Sequence, residues 1–305
     1  MRASATARNR RHTCSPLVPL PNVSASHSRL YFLDGDATLK YLKPTGESGT
    51  VRDLNVGPNQ EAVFAASPDD SRLAVVVLDH LQYPVTTRLY VEDLASGTNH
   101  LELFSGTVLE WPVAWYRGNL LMAVGINAPP QNCIDSFSYA SLGYHVADPN
   151  TGNRIRSVCD GWTSYSPPVP AGTLCINGAV PLGQAPSKVE SWDGATRILR
   201  NVGGCPQNGV LSPDGTWIAS NEVSAAQNGC TGQASIYLLA TDGRIVQTPA
   251  VGSAEGWIDS DHLVVGGEGE SAPASVFDVS AKTTKHVGVL GFFAGTLPND
   301  FSSTY

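Results

Sequence analysis

The feature that most constrains this chain is a short string that it writes twice. Residues 210–220 read VLSPDGTWIAS and residues 65–76 read AASPDDSRLAVV. Each places a small or apolar strand end before Ser-Pro-Asp-Gly/Asp, and an apolar run follows a short polar spacer. The proline presets φ for a turn, the aspartate side chain caps the turn amides, and glycine accepts a positive φ. Looser copies keep the same grammar: SASHSRLYFLD from Ser24, WYRGNLLMAV from Trp115, VPAGTLCING from Val169 and WIDSDHLVV from Trp257. The six anchors Ser24, Ser67, Trp115, Val169, Ser212 and Trp257 are spaced 43, 48, 54, 43 and 45 residues apart, and 48 residues follow the last.

A second element recurs after each anchor, for example RLYVEDLASGTNHLELF and SIYLLATDGRIVQTP. Each reads as strand, polar turn, strand, the pattern of a β-hairpin. A unit therefore carries four short strands: one before the anchor, one after it, and two in the hairpin. Repetition of a four-stranded unit at this period is the mark of a β-propeller. One unit alone cannot bury both of its sheet faces, so ring closure is what removes them from water. The 30 Gly and 21 Pro suit many short strands and leave little room for long helices. The expectation is an all-β chain, a six-bladed propeller of four-stranded blades with seven as the alternative count. It occupies residues 15–305 as one domain behind a basic leader, residues 1–14.

The strings Ser212–Ala219 and Ser67–Ala74 resemble the repeat of TolB-like six-bladed propellers, which also occurs in the propeller of prolyl oligopeptidase-type enzymes. The resemblance implies that the turn is structural. If the peptidase branch is the right one, it also implies that the catalytic domain is not in this chain. Blades one, three, four and six depart from the motif.

The net charge is −8, and the four arginines before residue 12 leave the remainder more acidic still. Such a surface disfavours nucleic-acid binding. No run of 18 apolar residues exists, so no membrane-spanning helix is expected. The basic N-terminus lacks the apolar stretch of a signal peptide, so a signal or anchor would lie outside this chain.

The six cysteines, 14, 133, 159, 175, 205 and 230, form no CxxC pair. Cys205 and Cys159 fall in equivalent leading loops, and Cys230 and Cys133 in equivalent loops between second and third strands. Those loops share one propeller face, which predicts disulfides Cys205–Cys230 and Cys133–Cys159, with Cys175 a buried thiol and Cys14 unplaced. Two loop pairs at matching positions favour an oxidising, extracytoplasmic setting. Six reduced cysteines in a cytoplasmic protein are the competing reading.

No G-x-S-x-G nucleophile string occurs, and the seven histidines occupy non-equivalent positions. Glu61, Glu110, Asn208 and Glu255 precede the anchors on expected inner strands. The first three align within two positions of one another and could converge on the axis as calcium ligands, as in propeller lactonases. The plainer alternative is a water-filled channel. Trp115, Trp217 and Trp257 are expected as wedges between blades. Trp111, Trp162, Tyr165 and Tyr83, beside prolines, could line a peptide- or glycan-binding face. The resulting expectation is a monomeric, non-catalytic, extracytoplasmic binding or scaffold propeller that recognises a protein, peptide or glycan and carries no cofactor. The alternative is a metal-dependent propeller hydrolase or lactonase with calcium held by the channel carboxylates. A third reading is a detached accessory propeller of a peptidase or sensor.

Overall fold

The computed structural model describes residues 23–79, 84–125, 142–159, 161, 163, 168–176, 186–199, 209–221, 235–241, 243–266 and 274–287. Every assigned element in them is a β-strand, and the strands form six antiparallel sheets. Sheet I holds β1 (Val23–Ala25), β2 (Leu30–Asp34), β3 (Thr38–Leu42) and β4 (Ser48–Asp53). Sheet II holds β5 (Gln60–Ala66), β6 (Arg72–Asp79), β7 (Thr86–Asp93) and β8 (Leu101–Gly106). Sheet III holds β9 (Glu110–Tyr116), β10 (Asn119–Val124), β11 (Tyr144–Ala147) and β12 (Arg154–Val158). Sheet IV holds β13 (Thr173–Ile176), β14 (Pro186–Glu190) and β15 (Thr196–Ile198). Sheet V holds β16 (Val210–Leu211), β17 (Trp217–Asn221), β18 (Ser235–Ala240) and β19 (Ile245–Val251). Sheet VI holds β20 (Ser253–Trp257), β21 (His262–Gly266), β22 (Ser275–Asp278) and β23 (Thr283–His286).

Within each sheet, neighbours in sequence are neighbours in space. The leading strands of successive sheets then pack on one another, β1 on β5, β5 on β9 and β16 on β20. Sheets that meander outward from an inner row of leading strands make a β-propeller. Among the described residues no helix is long and apolar enough to cross a membrane.

Five sheets have the expected four strands and sheet IV has three. What sheet IV lacks is the strand before its anchor, reduced among the described residues to a single bridge between Thr163 and Cys175. Pro168 and Pro170 beside the anchor also lack the N–H donors a ladder needs.

The Ser-Pro-Asp turns are the same device twice. Ser67 Oγ donates to Asp69 (2.6 Å) and accepts from the Arg72 amide (2.8 Å). Ser212 Oγ donates to Asp214 (2.6 Å) and accepts from the Trp217 amide (2.9 Å). Asp214 caps the Thr216 amide at 3.0 Å, as Asp69 caps that of Ser71 at 3.2 Å. The position with positive φ is Gly215 (72°) in one turn and Asp70 (61°) in the other.

These turns also join sheets. The His27 amide donates to Pro68 O at 2.9 Å, and the Ala171 amide donates to Pro213 O at 3.0 Å. In these two cases the turn of one sheet thereby grips the turn of the sheet that follows it, I to II and IV to V. The wedge tryptophans complement this. Trp115 Nε1 donates to Ala65 O and Trp257 Nε1 to Val210 O, both at 3.0 Å and both reaching back to the preceding sheet. Trp217 is half-buried, packed against the core between sheets V and VI, with the Arg244 guanidinium 5.2 Å from its ring.

Candidate functional site

Among the described residues, a concave site lies in the seam between sheets II and III. Its geometry follows from strand parity and one bulge. Along β9 the ladder with β10 shifts between Leu121 and Met122, so that Ala114 opposes Leu121 while Pro112 opposes Met122. The extra residue, Val113, reverses the alternation of side chains. Trp115, Met122 and Glu110 then face sheet II, whereas Trp111, Leu121 and Ala114 face sheet IV. His145 opposes Met122 across β10 and β11, which puts the imidazole on the sheet II side as well. A second register shift, between Val146 and Ala147, sets Arg154 opposite Ala147 on that same side.

Three polar side chains consequently meet in an otherwise apolar seam. Arg154 Nη2 donates to Glu110 Oε1 at 2.9 Å, and His145 Nε2 lies 3.4 Å from Glu110 Oε2. The His145 side chain is only 4% exposed, Glu110 17% and Arg154 50%, so the cluster runs from solvent inward. Burial pushes the Glu110 carboxyl above its ordinary value, against the pull of Arg154. Burial foremost, with the neighbouring Arg154 charge, depresses His145 to about 4. Against this cluster lies a cavity of about 170 Å³, walled by Leu89, Leu103 and Phe104 of sheet II and by Met122 and His145 of sheet III. The β11–β12 turn at Thr151, Gly152 and Asn153 forms its rim.

Glu61, on β5, has the parity of Val63 and Ala65, which pack against sheet III. It therefore looks into the same seam as Glu110 from the opposite side, but it is not part of the cavity wall. Asn208 lies outside the described residues. The carboxylate oxygens of Glu110 are engaged by Arg154 and His145 rather than presented alone to the axis. Glu255 accepts from Ser253 Oγ within β20.

Trp111 requires correction. It is 2% exposed within the core shared by sheets II, III and IV, not part of an open binding face. The bulge at Val113 is the cause, because it sends Trp111 into one neighbouring sheet and Trp115 into the other. Gly125 makes room for it, since a Cβ there would come within 2.6 Å of Trp111 Cζ3. Trp162, Tyr165 and Tyr83 lie outside the described residues.

The disulfide pairing also differs from expectation. Cys159 is bonded to Cys175, with Cα atoms 5.4 Å apart, which rules out Cys133–Cys159 and the buried thiol at Cys175. The Thr163–Cys175 bridge carries the chain back across sheet IV, so residues 16 apart in sequence meet at its edge. Glu190 Oε2 accepts from the Cys159 amide at 3.3 Å and from Lys188 Nζ at 2.6 Å, tying the crossing to β14. Cys159, Cys175 and Glu190 also form the only three-residue group of potential metal ligands among the described residues. With both sulfurs in a disulfide, the thiolates a metal would need are spent. Cys133, Cys205, Cys230 and Cys14 lie outside the described residues.

No family model matches the chain, and no curated relative matches it in sequence. Solved structures do. The uncomplexed Pyrococcus horikoshii acylaminoacyl peptidase superposes with a TM-score of 0.55 at 11% identity, covering 88% of this chain and 45% of that one. Its orthorhombic crystal form gives 0.52 at 12% identity, covering 86% and 43%. The Mycobacterium tuberculosis puromycin-hydrolyzing peptidase gives 0.46 at 15% identity, covering 89% and 44%. The shared property is the propeller fold. This chain spans about half the length of those proteins. The two acylaminoacyl peptidase structures carry the propeller as part of an enzyme, which runs against the expectation of a non-catalytic binding or scaffold propeller. Sequence reasoning erred because it took the lack of a nucleophile string within 305 residues as a statement about the function the propeller serves.

Proposed function

We propose that this propeller serves a peptidase-type hydrolase, admitting and holding small peptide substrates while a separate hydrolytic domain or subunit performs the bond cleavage. The observation that carries the reading is the superposition of 88% of this chain on 45% of an acylaminoacyl peptidase. The sequence agrees, since it offers a ring of sheets and no G-x-S-x-G elbow, so the nucleophile is contributed from outside these residues. A ring of rigid sheets suits such a task because it restricts which chains reach a reactive centre without itself taking part in chemistry. The buried Cys159–Cys175 disulfide supports work in an oxidising, extracytoplasmic compartment.

The test is capture of this chain, with chemical crosslinking, from an extract of its source, followed by assay of acetylalanyl-p-nitroanilide hydrolysis. Hydrolysis that a fluorophosphonate abolishes is expected, with the labelled serine on a polypeptide crosslinked or fused to the propeller. Captured propeller with no fluorophosphonate-sensitive hydrolysis overturns the reading.

A further inference from the structure

Two sulfurs and a carboxylate meet in the seam between sheets III and IV. Cys159 directly follows β12, Cys175 lies on β13 and Glu190 ends β14. Cys175 opposes Lys188 and Thr173 opposes Glu190 across β13 and β14, so strand parity turns Cys175, Lys188 and Glu190 to one face. Cys159 and Cys175 both belong to the core that includes sheet III, which identifies that face. Cys159 is 3% and Cys175 2% exposed, and the Glu190 side chain 12%. A disulfide is neutral and asks nothing of a carboxylate, yet Glu190 Oε2 stands 3.8 Å from Cys175 Sγ. In a zinc tetrahedron, Zn–S of about 2.3 Å and Zn–O of about 2.1 Å put sulfur and oxygen about 3.6 Å apart. The Cys175–Glu190 edge is already close to that length. Once the S–S bond is broken, side-chain rotation at Cys159 brings the second sulfur to the neighbouring corner, about 3.8 Å from the first.

We infer that the reduced chain binds a divalent cation of the zinc class through Cys159 Sγ, Cys175 Sγ and the Glu190 carboxylate, so that metal and cystine are alternative staples of one crossing. Thiolates select zinc over the hard cations, and the carboxylate completes three protein ligands, with water in the fourth position. The charges close as well. Two thiolates and a carboxylate around Zn²⁺ leave one net negative charge, and Lys188 Nζ, 2.6 Å from Glu190 Oε2, supplies the compensating positive one. Buried ions require such pairing. The Lys188 side chain is 25% exposed, so its flexible stem lets the ammonium yield Oε2 to the metal and stay beside it. The exchange between the two staples balances. A small-molecule disulfide takes two electrons from the thiolates and two protons from solvent and leaves as two thiols, while the Cys159–Cys175 bond forms and Zn²⁺ departs; a dithiol drives the reverse. Sheet IV needs one staple or the other, because among the described residues the strand before its anchor is reduced to the Thr163–Cys175 bridge. No part of the hydrolase reading enters the site.

Cobalt(II) is the probe, since its visible spectrum reports tetrahedral thiolate ligation. The full chain carrying Cys14→Ser, Cys133→Ser, Cys205→Ser and Cys230→Ser, reduced with a phosphine and kept from oxygen, should take up one cobalt with a thiolate-to-metal charge-transfer band and release it to zinc. The band should be absent before reduction and after adding Cys159→Ala/Cys175→Ala. Glu190→Gln keeps an oxygen without the charge, and should weaken cobalt by about 100-fold, the upper end of what losing a ligand's outer partner costs. Wild type provides a second measurement should the serine background not fold. In urea just below the unfolding transition, zinc should shield Cys159 and Cys175 of the reduced chain from iodoacetamide, as read by peptide mapping, and a chelator should expose them. Absence of the band from the folded, reduced chain, its survival in Cys159→Ala/Cys175→Ala, unchanged cobalt affinity in Glu190→Gln, or equal alkylation with and without zinc would each overturn the proposal.

Discussion

Trp115 Nε1 donates to the carbonyl of Ala65 at 3.0 Å, a bond between side chain and backbone that spans 50 residues and joins sheet III to sheet II. Trp257 repeats it toward Val210 across 47 residues. Both indoles are 3% exposed, so each polar N–H is satisfied only by reaching into the preceding sheet. Trp115→Phe keeps most of the apolar bulk and removes the donor. Loss of about 2 kcal/mol in urea unfolding is expected for Trp115→Phe and for Trp257→Phe, from the lost hydrogen bond and the small void together. Trp217→Phe should cost less than half of that, since Trp217 is half-buried. Equal losses at all three positions would contradict a stitching role for the two buried indoles.

At Asp70 the second Ser-Pro-Asp turn departs from Gly, and the departure has a use. The residue holds φ at 61°, and its carboxylate accepts from Tyr31 Oη of sheet I at 2.7 Å. Tyr31 is fully buried, and burial together with that carboxylate holds its phenol above the usual range. Asp70→Gly relieves the backbone by about 1 kcal/mol but strands the Tyr31 hydroxyl, which costs more. A net loss of about 1 kcal/mol is expected from chemical denaturation, whereas Asp70→Asn, which tolerates this φ and keeps an acceptor, should be nearly neutral. A stabilised Asp70→Gly protein would show that the link to Tyr31 contributes nothing.

Local chemistry explains what could be seen in advance. The turns at Ser67 and Ser212 are closed by side chains within five residues, so their strings announce them wherever the chain goes. The wedge role of Trp115 was readable because the indole occupies the anchor position itself. Trp111 was not, because its direction depends on a bulge at Val113 that no motif marks. The Glu110–His145–Arg154 cluster was invisible for a related reason. Its members lie 35 and 44 residues from Glu110, on three strands, and only two register shifts turn them to one face. Spacing gave Glu110 as a carboxylate of interest without giving the company it keeps. The signal that could have found His145 is its place in YHVA, an otherwise apolar strand, where a histidine is buried and must be accounted for.

The cystine at the edge of sheet IV can be checked chemically and energetically. Peptide mapping without reduction should recover Cys159 linked to Cys175 and no Cys133–Cys159 peptide. The bond closes a loop of 16 residues, for which chain entropy gives about 3 kcal/mol. The double variant Cys159→Ala/Cys175→Ala should therefore unfold at lower urea by that margin, and reductant should destabilise wild type by more than it destabilises the variant. Equal reductant sensitivity in both would assign the effect to other cysteines.

His145 makes stability depend on pH with a definite sign. Its folded-state value of about 4 lies below the ordinary 6.5, so the native protein keeps the imidazole neutral where the unfolded chain takes up a proton. Stability from this group is complete above pH 6.5 and is lost as pH falls toward 4, by at most about 3 kcal/mol. Glu110 acts in the opposite direction, because a carboxyl raised by burial favours the native state as it protonates, and it blunts the acid end of the same window. The comparison that isolates His145 is wild type against His145→Leu, with urea midpoints taken from pH 7.5 to pH 4.5. Wild type should lose ground steadily below pH 6.5 and His145→Leu should lose less, so that the gap between them narrows with acid. Parallel curves would mean that the imidazole takes up its proton equally well in the folded and unfolded chain, so that burial does not depress it.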